Sequence, residues 1–299
     1  MRILILGGAG MLGHKMVQAL SARFPEAWWT IWGAKSDERW RRIPFLQAER
    51  CLDGVDVADW PALHALLLRV RPDEIVNCVG VIKQRPEAQD PIPSLTINSL
   101  LPHRLAEAVG SWGGRLIHFS TDCVFSGRKG RYTEADVSDA EDLYGRSKFL
   151  GEAAGEHALT LRTSIIGREL EIHRSLLDWF LLGEHSSVKG FRRVWWSGVT
   201  TNHLADLVGD ILERHGDLRG LYQVSGGRLS KYELLCRLRD AYGLRIDVEP
   251  DDGPVNDRSL DGSKLAAAIG YQPPSWQRLM AQLVGDPTPY DRYYQRDNG

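Results

Sequence analysis

Cysteine is scarce in this 299-residue chain, and the four that occur (Cys51, Cys78, Cys123 and Cys236) are scattered without metal-ligand spacing. That argues against a disulfide scaffold or a cysteine-based metal centre and fits reduced thiols in a cytoplasmic protein. An excess of either charge is missing too: the formal net charge is −2, which gives no footing for a nucleic-acid partner. No apolar run approaches the roughly 20 residues that a membrane span needs. Met1 leads straight into a buried-type strand, so no signal peptide is expected. Internal repeats and low-complexity linkers are lacking. What remains is an ordinary soluble profile, 43% hydrophobic, long enough for one large domain or two closely packed ones. Its one compositional oddity is ten tryptophans.

The first half alternates strand-like runs (Arg2–Leu6, Trp28–Trp32, Glu74–Cys78, Arg115–Phe119, Leu159–Thr163) with helical patterns (Met11–Ala22, Trp60–Val70, Leu100–Gly110, and one from about Leu143). Strand, helix, strand in succession predicts a doubly wound parallel sheet, an α/β fold of Rossmann type. The second half is less regular. Leu204–His215 and Lys231–Tyr242 look helical, Arg219–Val224 and Leu244–Val248 look like short strands, and Glu249–Pro254 reads as a polar loop. Trp276–Val284 reads as a last short helix, and the tail from Gly285 as loosely held. This divides the chain into a dinucleotide-binding domain, 1–165, and a smaller α/β substrate domain, 166–299, some of whose segments return to the first.

The strand Ile3–Leu6 runs into glycines at Gly7, Gly10 and Gly13. Glycine lets backbone approach a pyrophosphate, and the following helix N-terminus offers free N–H groups and positive dipole. The spacing is three and three, not the two and three of the common dinucleotide fingerprint. An acidic residue after the second strand would bind an NAD ribose. Here the strand ends Ile31-Trp32-Gly33-Ala34-Lys35, with Arg39, Arg41 and Arg42 beyond. Positive charge in place of a carboxylate favours a 2′-phosphate, hence NADPH, and leaves NADH open. Candidate cofactor contacts are Gly7, Gly10, Met11, Leu12, Gly13, Lys35, Arg39, Asp56, Val57, Cys78, Val79, Gly80, Asn98 and Thr163, together with Tyr144 and Lys148.

Tyr144 and Lys148, four apart, share one helix face. A free tyrosine, with a pKa near ~10, is a poor proton shuttle at neutral pH. A nearby ammonium and a positive nicotinamide favour the phenolate and bring the group toward the catalytic range. Thr121, just past the strand ending at Phe119, would hydrogen-bond a substrate carbonyl. Ser120 is its neighbour, and strand alternation lets only one of the two face the site. His118 sits in the same strand and reads as structural.

With these residues on view, the chain resembles the extended short-chain dehydrogenase/reductase family, and within it the dTDP-4-dehydrorhamnose reductase-like, sugar-nucleotide reductase subfamily. The matching segments are Gly7–Gly13, Val76–Gly80, Ser120–Gly127, Tyr144–Lys148 with Gly151-Glu152, Leu161–Ser164, Gly220–Ser225 and Pro254–Leu265. The resemblance implies catalysis by Thr121, Tyr144 and Lys148, with a nucleotide sugar as substrate. The family's usual tyrosine after Ser-Thr-Asp is Cys123 here, and Val188–Gly198 has no counterpart in the rhamnose enzyme. Candidate substrate contacts are Lys83, Ser120, Asp122, Cys123, Lys189, Arg192, Trp195 and Arg258: cations for a diphosphate, a flat ring for a base or sugar. Thr200-Thr201-Asn202 reads as a helix cap. No carboxylate cluster predicts a metal.

The expected reaction is NADPH-dependent reduction of the 4-keto group of a nucleotide-activated deoxyhexulose, in cell-surface polysaccharide biosynthesis. Two alternatives stand beside it: an NAD-dependent sugar-nucleotide epimerase or dehydratase, and a non-catalytic cofactor-binding regulatory subunit. Tryptophans left exposed on a monomer would suit a homodimer.

Overall fold

The computed structural model describes residues 1–83, 89–171 and 175–294. Seven parallel strands form the main sheet: β1 (Ile3–Leu6), β2 (Ala27–Thr30), β3 (Cys51–Leu52), β4 (Glu74–Asn77), β5 (Arg115–Thr121), β6 (Ala158–Thr163) and β7 (Gly220–Gln223). Their order is β7-β6-β5-β4-β1-β2-β3. The chain leaves β1 toward one edge and returns to β4 to build the other. The reversal opens a crevice at the carboxyl ends of β1 and β4, where open α/β sheets bind ligands.

Alternation along β1 sorts the two cores. Ile3 and Ile5 join Met16, Val17 and Leu20 of α1 (Gly13–Arg23), while Leu4 and Leu6 join the opposite cluster with Leu63 and Leu67 of α2 (Trp60–Val70). Leu101, Leu105 and Val109 of α3 (Leu101–Gly110) complete that second face. A strand buried on both faces has no polar side, which is why Ile-Leu-Ile-Leu reads as continuous apolar sequence. The helix α4 (Leu143–Leu150) carries Tyr144 and Lys148. The helix α5 (Thr201–Arg214), capped by the Thr200 hydroxyl on His203 N, brings Leu204, Val208 and Ile211 onto the same core as α1.

A third cluster (Leu177, Phe180, Val188, Trp196, Leu234, Leu238, Trp276, Leu279) lies under short strand pairs. Ser187–Phe191 runs parallel to Asp247–Asp251. Val194–Trp196 pairs with Leu229–Ser230 and Asn256–Asp257. The helices α6 (Lys231–Tyr242) and α7 (Trp276–Val284) cover them.

Three expectations need correction. The strand read at Leu244–Val248 is shifted to Asp247–Asp251 and runs on into what looked like a polar loop, Glu249–Pro254. Its hydrogen-bonding partner supplies what its polar side chains do not. The second strand stops at Thr30 instead of Trp32, and Trp32 is turned out, 66% exposed. The tail is not loose as far as residue 294. It ends in helix α8 (Tyr290–Tyr294), and Asp286, Thr288 and Tyr290 are bonded to side chains of α1.

Candidate functional site

Gly7, at φ +82, occupies the left-handed region that glycine tolerates. A Cβ on Gly13 would lie 1.9 Å from the Gly7 carbonyl oxygen, and one on Gly7 would meet Val79 Cγ2 at 2.8 Å. The loop is therefore a backbone cradle that a side chain would fill. Helix α1 follows with no side-chain cap on its first N–H groups. Unsatisfied donors and positive dipole at this end suit a pyrophosphate, so the residues present fit a dinucleotide. Cys78, Val79 and Gly80 close the crevice after β4.

Helix α4 starts where Asp142 caps Gly145 N at 2.7 Å and Lys83 Nζ meets the same carboxylate at 2.6 Å. The Thr121 side chain lies beside Tyr144 and opposes the rise of its phenol pKa. Thr121 Oγ1 in turn reaches Asp122 Oδ1 at 3.2 Å and accepts from Cys123 N at 3.1 Å. Lys148 Nζ donates to the Phe119 carbonyl at 2.7 Å, with His118 Nε2 3.3 Å away. The structure thus brings Thr121, Tyr144 and Lys148 together at the carboxyl end of β5.

Burial pushes the Tyr144 phenol well above its ordinary value, and Cys123, Asp122 and Asp142 push the same way. The lowering expected from Lys148 does not operate here, because that ammonium is turned to the Phe119 carbonyl. Burial brings Lys148 down to about 8, against the opposing pull of Glu152. Burial raises Asp122 too, opposed by Lys231 and Arg258.

A wide helical turn backs this group. Residues Leu95–Leu100 form a π turn between the short helix Pro91–Ser94 and α3. Asn98, buried in it, accepts from Val81 N at 2.9 Å and donates to Val81 O and to Ser147 Oγ of α4. Its side chain serves the backbone after β4 and the tyrosine helix.

The other predicted residues have these partners within the protein. Ser120 Oγ donates to Glu152 Oε1 at 2.6 Å, and Glu152 also holds Arg162; Thr121 is the one of the pair beside Tyr144. Lys35 Nζ is tied to the Ala48 carbonyl at 2.9 Å, leaving Arg39 as the cation beside Trp32, 5.8 Å from its ring. Arg39 also meets Glu171 and Asp37. Asp56 caps its own turn at Ala58 N, and Val57 is half-buried against the core cluster that includes Leu63 and Leu67. Thr163 Oγ1 donates to the Val224 carbonyl at 2.9 Å. Lys189 and Arg192 are exposed and paired with Asp251 and Asp252 on the strand pair, and Trp195 carries Arg228 3.7 Å from its ring. Arg258 donates to the Phe125 carbonyl and sits 3.8 Å from Cys123 Sγ, so it borders the tyrosine group.

One cation went unread in the sequence. Lys231 opens α6 and lines a cleft of about 200 Å³ with Met11, Ser164, Gly167, Ser175 and Trp196. Its ammonium stands 4.8 Å from the Trp196 ring and makes no hydrogen bond among the described residues. Burial lowers its pKa while Asp122 and Cys123 oppose. The sequence offers only a helix from Lys231 here; the structure starts it with a capping box, Ser230 and Glu233 each bonding the other's backbone N–H. Among the described residues no group of three or more His, Cys, Asp or Glu could hold a metal. No helix among them is long and apolar enough to cross a membrane.

A family model described as "RmlD substrate binding domain" matches residues 1–287. The chain belongs to the RmlD substrate binding domain family. It is 30% identical to dTDP-4-keto-6-deoxy-D-glucose reductase of Streptomyces niveus, over 84% of this chain and 83% of that protein. It is 27% identical to methionine adenosyltransferase 2 subunit beta of Rattus norvegicus, over 91% and 84%. Among solved structures, a hypothetical dTDP-4-dehydrorhamnose reductase from Sulfolobus tokodaii superposes with a TM-score of 0.75 at 26% identity, covering 90% of this chain and 94% of that one. The family match spans the glycine cradle, the tyrosine helix and the cleft at Lys231.

Proposed function

We propose that this chain is an oxidoreductase that uses NADPH, and less well NADH, to reduce the 4-keto group of a nucleotide-activated deoxyhexulose in nucleotide-sugar biosynthesis. One observation carries the reading: Thr121, Tyr144 and Lys148 converge at the carboxyl end of β5, beside a glycine cradle and an uncapped helix. Bound there, the dinucleotide supplies hydride. Gly7, Gly10 and Gly13 hold its pyrophosphate on backbone, and Arg39 meets its 2′-phosphate.

The chain's own residues handle the proton. Burial keeps Tyr144 protonated at neutral pH, which is the state a reduction needs. Tyr144 gives that proton to the oxygen as it becomes an alkoxide, and Thr121 donates to the same oxygen. Lys148 has neutral partners only and turns to the nicotinamide ribose hydroxyls. On the substrate side, Lys231 and Arg258 flank Asp122 and Cys123 and meet the oxygens of the sugar nucleotide. Cys123 leaves room where the subfamily's usual tyrosine would stand.

The test is NADPH oxidation followed by absorbance against a panel of 4-keto nucleotide sugars. Oxidation is expected with at least one, and Tyr144→Phe should lower kcat by about 10³-fold while the cofactor still binds. Full activity in Tyr144→Phe would sink the mechanism. The likeness to methionine adenosyltransferase 2 subunit beta favours a second reading, a cofactor-binding subunit without turnover; cofactor binding with no oxidation across the panel would select it. Ile92, Leu95, Leu100 and Leu150 leave an apolar face open beside the π turn, which suits a homodimer, and light scattering would show it. The free thiols fit a cytoplasmic setting, which cell fractionation would check.

A further inference from the structure

The C-terminal segment is bonded to the helix that carries the glycine cradle, and the bonds run without a break to the loop itself. Asp286 takes Lys15 Nζ at 2.6 Å and Asn202 Nδ2 at 3.2 Å, and Thr288 N donates to it at 3.0 Å. Lys15 Nζ also donates to Thr288 Oγ1 and to Gln18. Both Lys15 and Asp286 have side chains only 4% exposed. The Tyr290 hydroxyl lies 2.8 Å from His14 Nε2 and 3.1 Å from Asp286 Oδ2. On its far side His14 Nδ1 meets the Gly10 carbonyl at 2.9 Å, the carbonyl that also accepts His14 N. Gly10 N is bonded to Gly7 O.

Proton counting fixes the direction of this relay. A carbonyl only accepts, so His14 Nδ1 carries the proton toward Gly10. Burial and Lys15 lower His14 to about 4, so it is neutral and Nε2 must accept. Tyr290 therefore donates to His14. Asp286 is already supplied by Lys15, Asn202 and Thr288 N. Removing the Tyr290 hydroxyl leaves a buried ring nitrogen without a donor, and frees the imidazole that pins Gly10.

We infer that Tyr290, through His14, is a positioning residue for dinucleotide binding: the segment Asp286–Tyr290 clamps the cradle in the shape that receives a pyrophosphate. This rests on the reading of Gly7–Gly13 as the dinucleotide site. Preorganisation of this kind raises affinity by lowering the ordering required on binding. Burial of a single tyrosine on a helix would not by itself do so, and the molecule contains a control. Tyr271 is likewise a buried tyrosine whose hydroxyl meets a histidine, His203, at 3.1 Å, and its other bond goes to the Ser225 carbonyl.

The experiment compares the full chain with Tyr290→Phe and Tyr271→Phe. It measures the Kd for NADPH by calorimetry, thermal stability, and amide exchange of residues 10–16 without nucleotide. Tyr290→Phe should weaken NADPH by about fivefold, speed exchange in the loop and raise KM for NADPH, with kcat at saturation within about twofold of the parent; Tyr271→Phe should lower Tm similarly and leave Kd within about twofold. An unchanged Kd and exchange rate in Tyr290→Phe, or equal weakening in Tyr271→Phe, overturns the inference while the cofactor reading stands. If the parent chain binds neither NADPH nor NADH, the cofactor reading falls and takes the inference with it.

Discussion

Lys15 and Lys148 are both buried lysines set beside the same sheet, and they are held in opposite ways. Lys15 meets a carboxylate, a threonine hydroxyl and a glutamine oxygen, all within 2.8 Å. Lys148 meets a backbone carbonyl and an imidazole, and no carboxylate lies within ion-pair distance of it among the described residues. A buried charge with a carboxylate partner is locked to that partner. A buried charge among neutral groups stays expensive, and a ligand can still recruit it. The first arrangement builds a frame, and the second leaves a tool in the site.

Breaking each lysine should give opposite results. Lys15→Met leaves Asp286 buried and uncompensated and should destabilise the fold by about 4 kcal/mol, read from urea denaturation. A loss under about 1 kcal/mol would show that the clamp is ornamental. For Lys148→Met the sign reverses. Its pKa falls from an ordinary 10.5 to about 8 on folding, so its burial opposes folding by roughly 3 kcal/mol below pH 8. That penalty is relieved as pH rises from about 8 toward 10.5, where the unfolded chain holds more protons. After about 1–2 kcal/mol for the hydrogen bonds lost, Lys148→Met should be more stable than the parent at pH 7 by about 1–2 kcal/mol, with the gap closing between about pH 8 and 10 and the order reversed by pH 10.5. Activity in that variant should be lower by about 10²-fold. A variant that is less stable at pH 7 would erase the contrast.

Smaller changes sharpen it. Lys231→Met removes the cation that lines the cleft and should raise KM for the nucleotide sugar by about tenfold, leaving cofactor Kd alone. Arg39→Ala should raise KM for NADPH by about fivefold and leave NADH unchanged, if the guanidinium meets the 2′-phosphate that NADH lacks, as proposed. Equal effects on both nucleotides would remove Arg39 from cofactor selection.

Legibility in the sequence followed the range of the interactions. The parallel sheet was readable because Ile3–Leu6 is buried on both faces and so is continuously apolar, and because strand-like and helical runs alternate after it. The tyrosine helix was readable because its chemistry repeats within one turn. Asp247–Asp251 was not, because a strand of Asp, Val, Glu and Pro is made by its pairing with Ser187–Phe191 and by nothing in its own residues. Ser120 and Lys35 look as suitable as Thr121 and Arg39 in sequence. Partners 32 and 13 residues away already engage them. The tail looked loose for the same reason. Its residues are polar, and their burial depends on Lys15 and His14, more than 270 positions earlier.

The π turn at Leu95–Leu100 fixes something no side chain can. Such a turn carries an extra residue over the same rise as an α-helix, so it stores a count of residues as well as a set of contacts. Removing one residue ahead of Asn98 would restore ordinary winding and swing that side chain by about 100° around the axis, away from Val81 and Ser147. The helix would survive and even gain regularity. Beside it, Gly151 already sits where a Cβ would come within 1.8 Å of the Asn98 carbonyl, so the tyrosine helix has no slack to follow. Along this stretch the number of residues matters beyond their kind: deleting one residue between Leu95 and Asn98 should cost more stability than replacing exposed Ile92 by a polar residue, read from thermal unfolding.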